Sequence, residues 1–506
     1  SAADTPQLLS AYVPDPLSQD PALGAACSDT GADPFPQLTN CPIPIGWFAS
    51  GGAGPLVDTT GDRPSLTADV AHRFGTNVVR AGATGEDTRL VTETRFTGGS
   101  QIRSLFPGFV SERKFLDPDS PCTATGPCPT ADSSTLSYRT RYTAAYVEDT
   151  WHAAPNIQVD GGLRWELMWV GSALHFSNQL APRLGASWDP LGNGRSRVWT
   201  SMGRSYALLP AGLGYTVLRR DRYEDTTTSM FGTSRSVETG QAFAVASDLQ
   251  PVTQDELTAG AELAILQAVR VTAWAQGRWL RSGLAVTPDG VDNPGHDLTT
   301  PASRNTALAA VELATNPTGK LVLRVGYMVG QTVGSWTGIN TADFEFTSQN
   351  LVGPQPTSIG QRTYIEAERG GQVGPVRLAF AMRLSLASGE PRNALGDSDD
   401  GIIYLVPRGS LGRGPMLSQT NARIAATYRG VDVVLDVLNV FDHRDATNLD
   451  EVYAGGSIHP IVNGTPADLV FLRTETGKPA VRSSGFQVPI AYQAPLSAVL
   501  GVRTRF

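Results

Sequence analysis

Residues 157–169 read Ile-Gln-Val-Asp-Gly-Gly-Leu-Arg-Trp-Glu-Leu-Met-Trp. In an extended chain successive side chains point to opposite sides. Ile157, Val159, Leu163, Trp165, Leu167 and Trp169 therefore share one face, and Gln158, Asp160, Arg164 and Glu166 share the other. A strand of a soluble sandwich runs ~5–6 residues, whereas one that crosses a bilayer at a tilt needs ~9–11. This stretch is long enough to cross.

The pattern recurs along the chain. Leu321, Leu323, Val325, Tyr327 and Val329 are set against Arg324 and Gln331, and Val376, Leu378, Phe380, Met382 and Leu384 against Arg377, Arg383 and Ser385. Val269, Val271, Ala273, Ala275 and Trp279 oppose Arg270, Thr272, Gln276 and Arg278, while Ala498, Leu500, Val502 and Phe506 oppose Ser497, Arg503 and Arg505. Strands are expected over 64–74, 76–86, 137–151, 156–170, 179–190, 196–206, 253–265 and 268–283. The rest are expected over 303–315, 320–333, 361–370, 375–387, 418–429, 431–443 and 495–506. Short turns (152–156, 190–196, 316–320, 370–374, 429–430) alternate with long connections (87–136, 207–252, 334–360, 388–417, 444–494). Short turns at one end and long loops at the other mark outer-membrane barrels, the short end being periplasmic.

Composition agrees. Charged residues make up 17%, below the roughly 25% of soluble domains, yet mean hydropathy is only -0.14. No apolar run reaches the ~18 residues of a membrane helix. Apolar residues spread one in two along many strands satisfy both facts. The 53 glycines and 35 prolines suit turns and loops. Arginines fall on the polar face, which a watery or plugged lumen solvates, and Trp151, Trp165, Trp169, Trp188, Trp199 and Trp279 fit interfacial girdles or core positions. A net charge of -8 without a basic stripe argues against nucleic acid as a partner.

Four cysteines, Cys27, Cys41, Cys122 and Cys128, lie in Pro/Asp/Ser-rich segments. Their spacing suggests Cys27–Cys41 and Cys122–Cys128 disulfides formed in an oxidising compartment. A zinc site is the competing reading, and no histidine sits near either pair.

Three passages resemble the TonB-dependent receptors, and among them the Oar-like branch. Tyr146-Val-Glu-Asp-Thr-Trp151 with Pro155-Asn156 and Gly161-Gly-Leu-Arg-Trp165 is similar to one strand pair of that family. Pro182-Arg-Leu-Gly-Ala-Ser-Trp188 with Gly203-Arg204 is similar to the next, and Leu438-Asn-Val-Phe-Asp442 to a motif near its C-terminus. Gly501 and the terminal Phe506 look like the signal by which such barrels are recognised for assembly. The resemblance implies an all-β, transmembrane antiparallel barrel of about 22 strands, of which about fifteen are visible. It also implies TonB as a partner, and a plug that this sequence does not display.

Counting back from a periplasmic C-terminus through fifteen strands puts the N-terminus outside. Residues 1–62 are then an extracellular segment with a disulfide, and 63–506 the barrel portion. About seven further strands and any plug are expected from a second or preceding polypeptide. Ser1-Ala-Ala-Asp4 carries no signal segment, so a signal was removed or the chain begins inside a precursor.

Catalytic and cofactor motifs are absent. His72, His152, His175, His296, His443 and His459 lack metal or triad spacing, and no nucleophile elbow or phosphate loop occurs. Asp397, Asp399 and Asp400 are weak calcium candidates; a solvated acidic loop is the other reading. Arg219-Arg220-Asp221-Arg222 suits an anionic ligand or lipopolysaccharide, or an ordinary surface. The expectation is a non-enzymatic receptor for uptake of a scarce ligand in the bacterial outer membrane, in contact with lipid and lipopolysaccharide. The rivals are a structural or adhesion barrel and a passive porin. No cofactor is expected.

Overall fold

In the computed structural model the alternating stretches are strands of one curled antiparallel sheet. The described residues are 5–10, 48–106, 109–117, 128–172, 174–209, 212–218, 221–239, 244–245, 248–266, 268–287, 290–292, 302–315, 321–338, 350–398 and 401–504.

Strand β1 has two halves, Pro55–Asp62 and Ser65–Phe74; β2 is Asn77–Phe96, β3 Ser133–Ala154, β4 Ile157–Val170 and β5 Leu174–Trp188. Then come β6 (Ser196–Tyr206), β7 (Thr253–Leu266), β8 (Val269–Ser282), β9 (Arg304–Thr315) and β10 (Leu321–Gly334). The series ends with β11 (Gly360–Val373), β12 (Val376–Ala387), β13 (Leu417–Tyr428), β14 (Val431–Leu438) and β15 (Ser497–Thr504). Both halves of β1 lie along β2, and Pro64, which has no N–H to give the ladder, falls at their joint. Each strand pairs antiparallel with the next, from β1 to β15.

The sheet order is that of a ring. Its two end strands nevertheless differ from the rest: no residue register joins β1 to β15 among the described residues, and Ser65–Phe74 and Ser497–Thr504 are exposed at every position. With an odd number of strands and only antiparallel steps, β1 and β15 must run in the same direction. The ladder that joins every other neighbour cannot join these two.

Several boundaries differ from the sequence expectation. Pro55–Asp62 belongs to β1, so the ladder begins before position 63. Strands β2 and β3 run on to Phe96 and from Ser133, because their polar outer residues still pair above the apolar band. The turn expected over 370–374 is tighter: Val373 pairs with Val376 around Gly374, whose φ is 58°. The Arg429-Gly430 hairpin has φ of 44° and 84°, the doubly left-handed geometry that matches strand twist.

Register fixes the faces. Outer positions carry Leu66, Val70, Val147, Leu163, Leu184, Met202, Leu257, Phe380 and Leu500, all exposed in the chain as it stands, with Leu66 at 77% and Leu500 at 69%. Such a band is stable only in lipid. Gln331, expected on the polar face, shares the outer face with Tyr327 and Val329; it pairs with Ala307 near the long-connection end, where the apolar band gives out. Trp151 and Trp188 stand on the outer face near the short turns. Trp199 faces inward beside Gly260, where a Cβ would come within 2.3 Å of its ring.

Buried apolar cores occur in the long connections rather than in the wall. One gathers Leu209, Leu213, Val217, Leu284 and Trp336 over the upper ends of β4 and β5. Another gathers Ile403, Leu405, Val406, Tyr453, Ile458, Leu469, Leu472 and Phe486. A third, Phe96, Phe115 and Tyr223, underlies a seven-stranded sheet that includes Gln101–Phe106, Phe109–Leu116 and the hairpin Arg222–Ser229/Gly232–Thr239. No helix among the described residues is long and apolar enough to cross a membrane, which says nothing of strands.

Candidate functional site: the lumen wall and its crown

The inner face is a ladder of cation–carboxylate pairs. Alternation places these residues inside, and cross-strand neighbours on one face lie close enough to pair. Arg164 donates to Glu166 at 2.6 Å and to the Tyr142 hydroxyl at 2.8 Å. Arg278 donates to Glu256 at 2.7 Å, and Arg63 to Glu86 at 2.9 Å. Arg324 donates to Glu366 at 2.6 Å; Arg383 approaches the same carboxylate at 3.8 Å and lies over the Tyr364 ring, whose hydroxyl donates to Glu312. Arg423 donates to Asp436 through two guanidinium nitrogens, at 2.5 and 2.8 Å.

Between β2 and β7 this wall holds a recess of about 890 Å³. Its inward-facing charged residues are Arg80, Arg164 and Arg183 against Glu148, Asp160 and Glu256. Asp160 accepts from the Thr150 hydroxyl at 2.8 Å and from the Gln158 amide at 2.9 Å. A balanced, hydrogen-bonded surface of this kind wets a passage without favouring either sign of solute.

Above the wall the long connections form a crown with its own polar ties. Arg113 makes a bidentate pair with Asp225 (2.8 and 2.5 Å) and also meets Glu238. Asn350 donates to the Tyr404 and Ile461 carbonyls, both at 3.1 Å, and accepts from the Asn463 amide. Glu451 accepts from the Asn393 backbone N–H at 2.7 Å and side-chain amide at 2.8 Å, and burial pushes its carboxyl above the usual range. Arg413 donates to the Ser358 and Gly389 carbonyls and the Ser358 hydroxyl, beside a second recess of about 550 Å³. Burial holds its guanidinium below its ordinary value. None of these ties was apparent from the sequence.

The singled-out residues fare unequally. Cys27, Cys41 and Cys122 lie outside the described residues; Cys128 is buried and is not a free thiol. Asp397 sits on the strand Leu395–Ser398 opposite Ile402, and Asp399 and Asp400 lie outside the described residues. No group of metal-ligating side chains occurs among the described residues. Gly501 pairs with Val434 in the last ladder, and Phe506 lies outside the described residues. Arg219 and Arg220 also lie outside them, while Asp221 accepts from the Ser134 and Tyr223 hydroxyls.

The motif Leu438-Asn-Val-Phe-Asp442 has a structural role. Asn439, at φ 51° and buried, donates to the His443 and Ala494 carbonyls at 2.8 and 2.9 Å and accepts from the His443 amide. Asp442 accepts from the Leu496 amide at 2.9 Å, a bond that holds its carboxyl below the usual range. The motif seats the start of β15 against the end of β14.

Not every arginine is inward. Register puts Arg139 and Arg141 of β3, Arg204 of β6 and Arg281 of β8 on the outer face near the long connections. Arg204 shares the parity of Val198 and Met202, so it belongs with them.

A family model described as TonB dependent receptor-like, beta-barrel, matches residues 47–286. The TonB-dependent transporter Oar of Myxococcus xanthus is 24% identical over 99% of this chain and 55% of that protein. The chain thus spans about half the length of this curated relative. The outer membrane transporter YddB of Escherichia coli superposes with a TM-score of 0.56 at 13% identity, covering 99% of this chain and 58% of YddB. That likeness is one of fold.

Proposed function

We propose that this chain, which is similar to the TonB dependent receptor-like β-barrels over residues 47–286, forms the wall and crown of an energised receptor that takes up a scarce ligand across the bacterial outer membrane. The observation that carries this reading is the pairing of a charged, hydrogen-bonded inner wall with a crown in which described segments of the long connections pack into cores of their own. A passive porin needs the first; a capture device needs both. In this reading the long connections face outward, β1 and β15 both run inward, and the segment before β1 lies on the cell surface with the expected disulfides. TonB supplies the energy from the periplasm. The comparisons give no support to a separate second polypeptide, the relative being a single chain of greater length. The ligand's identity is open, and fold does not choose it.

The test is uptake of a panel of labelled nutrients by cells that carry the full-length protein, with and without a proton uncoupler. Uptake abolished by the uncoupler supports the receptor. Flux that persists undiminished identifies a porin, and no flux beyond cells lacking the protein identifies a structural or adhesion barrel.

A further inference from the structure

The seven-stranded sheet of the crown ends in an open strand. In its order Gly232–Thr239 comes last, beside Arg222–Ser229, and no described strand lies on its other side. Every position from 232 to 238 is exposed. The strand is regular: it pairs from Ser229↔Gly232 to Arg222↔Thr239 without a bulge, and it contains neither proline nor lysine. Bulges, prolines and lysines are the devices by which natural edges avoid pairing with other chains, and this edge lacks them.

Register decides which backbone groups are open. The hairpin turns on two residues, Met230 and Phe231, so Ser229 and Gly232 exchange hydrogen bonds across it. Alternation then gives Ser234, Ser236 and Glu238 to the ladder and turns the N–H and C=O of Thr233, Arg235 and Val237 away from the sheet. Both charged side chains are tied back into their own sheet: Arg235 pairs with Glu224 at 2.8 Å, and Glu238 meets Arg113. An incoming strand therefore meets hydroxyls and Val237 rather than unpaired charge. At the start of the strand Met230 and Phe231 are 79% and 85% exposed, and Val110, opposite Thr228, is exposed beside them. Three apolar side chains together at one end of an open edge form an anchor for an apolar group. Donors and acceptors that repeat every second residue, about 6.8 Å apart, match an extended polypeptide backbone.

We propose that the open edge Gly232–Thr239 binds an extended polypeptide segment of a partner as an added strand of the crown sheet. Thr233, Arg235 and Val237 supply the main-chain bonds, and an apolar side chain of the segment seats on Met230 and Phe231. The proposal concerns what the crown captures and does not depend on transport; it holds for a receptor and for an adhesion barrel alike.

The probe is a phage-displayed library of linear random peptides, selected on full-length protein in detergent micelles. Peptides that alternate β-branched or aromatic residues with polar ones should be enriched. Synthetic copies are then N-methylated on one or the other set of alternate residues. One set should abolish binding and the other should not, because only every second amide of an added strand faces the edge. Val237→Pro removes one outward N–H and no ladder bond, so it should lower affinity about tenfold, the loss of a single hydrogen bond, while Val237→Thr keeps it. Heat-modified gel mobility checks the barrel of each variant, and hydrogen exchange at 222–229 checks the hairpin. A library without enriched peptides, equal loss from both methylated sets, or undiminished binding by Val237→Pro would overturn the proposal. A dimer of the purified protein that Val237→Pro dissolves would also overturn it, by giving the edge to a second copy of this chain. Peptide binding by a protein that fails the uptake assay would leave this site standing and remove only the transport reading.

Discussion

Phe380 and Arg383, three positions apart on β12, face opposite solvents. Phe380 is exposed on the outer face opposite Arg369, while the Arg383 guanidinium lies inside, 4.8 Å from the Tyr364 ring centroid. Phe380→Arg should therefore impair assembly, by less than the about 2–4 kcal/mol of an arginine at the bilayer midplane, because Arg369 already occupies the outer face at this level. Arg383→Ala, which loses a long ion pair and a cation–π contact but leaves Glu366 paired with Arg324, should assemble normally. Folding into lipid vesicles of defined composition measures both, and equal tolerance would remove the membrane-barrel assignment.

Asn439 offers a second test. Its left-handed backbone and three hydrogen bonds hold β15 to β14. Asn439→Ala should destabilise the barrel by about 1–3 kcal/mol, since it strands buried partners. Asn439→Gly relieves the backbone but not the lost bonds, so it should recover only part of the loss in urea titrations.

Glu451 gives the crown a pH dependence. Its folded carboxyl titrates above its unfolded value because burial disfavours the charge. Its contribution is thus fully present below the unfolded value and is lost as pH rises through the folded one. Hydrogen exchange at 390–395 and 450–454 should speed up across that interval, and Glu451→Gln should flatten the change. Unaltered pH dependence in the variant would place its origin elsewhere.

Peptide mapping without reductant should find Cys27 joined to Cys41 and Cys122 to Cys128. A crossed pairing or free thiols would show the spacing argument to be wrong.

The wall was legible because its rule is local. A period of two, repeated, needs no knowledge of partners, and the expected stretches correspond one by one to β1–β15. Where residue type and parity disagree, parity decides the face. Gln331 is polar and Arg204 charged, yet Gln331 alternates in step with Tyr327 and Val329, and Arg204 with Val198 and Met202. The crown was illegible for a different reason. Ile403, Tyr453, Leu469 and Phe486 meet in one core from segments with no common period. Likewise Asn393 reaches Glu451 across 58 positions of chain. Nothing local announces such meetings.

The location of those cores has a consequence for how the molecule melts. The wall keeps its apolar side chains outward, so its cohesion is borrowed from the bilayer and changes with acyl chain length and detergent. The crown buries its own, as any water-soluble domain does, and carries the heat-capacity increment of such burial. Calorimetry in a series of lipids should resolve two endotherms: an early one indifferent to the lipid, and a late one that moves with membrane thickness.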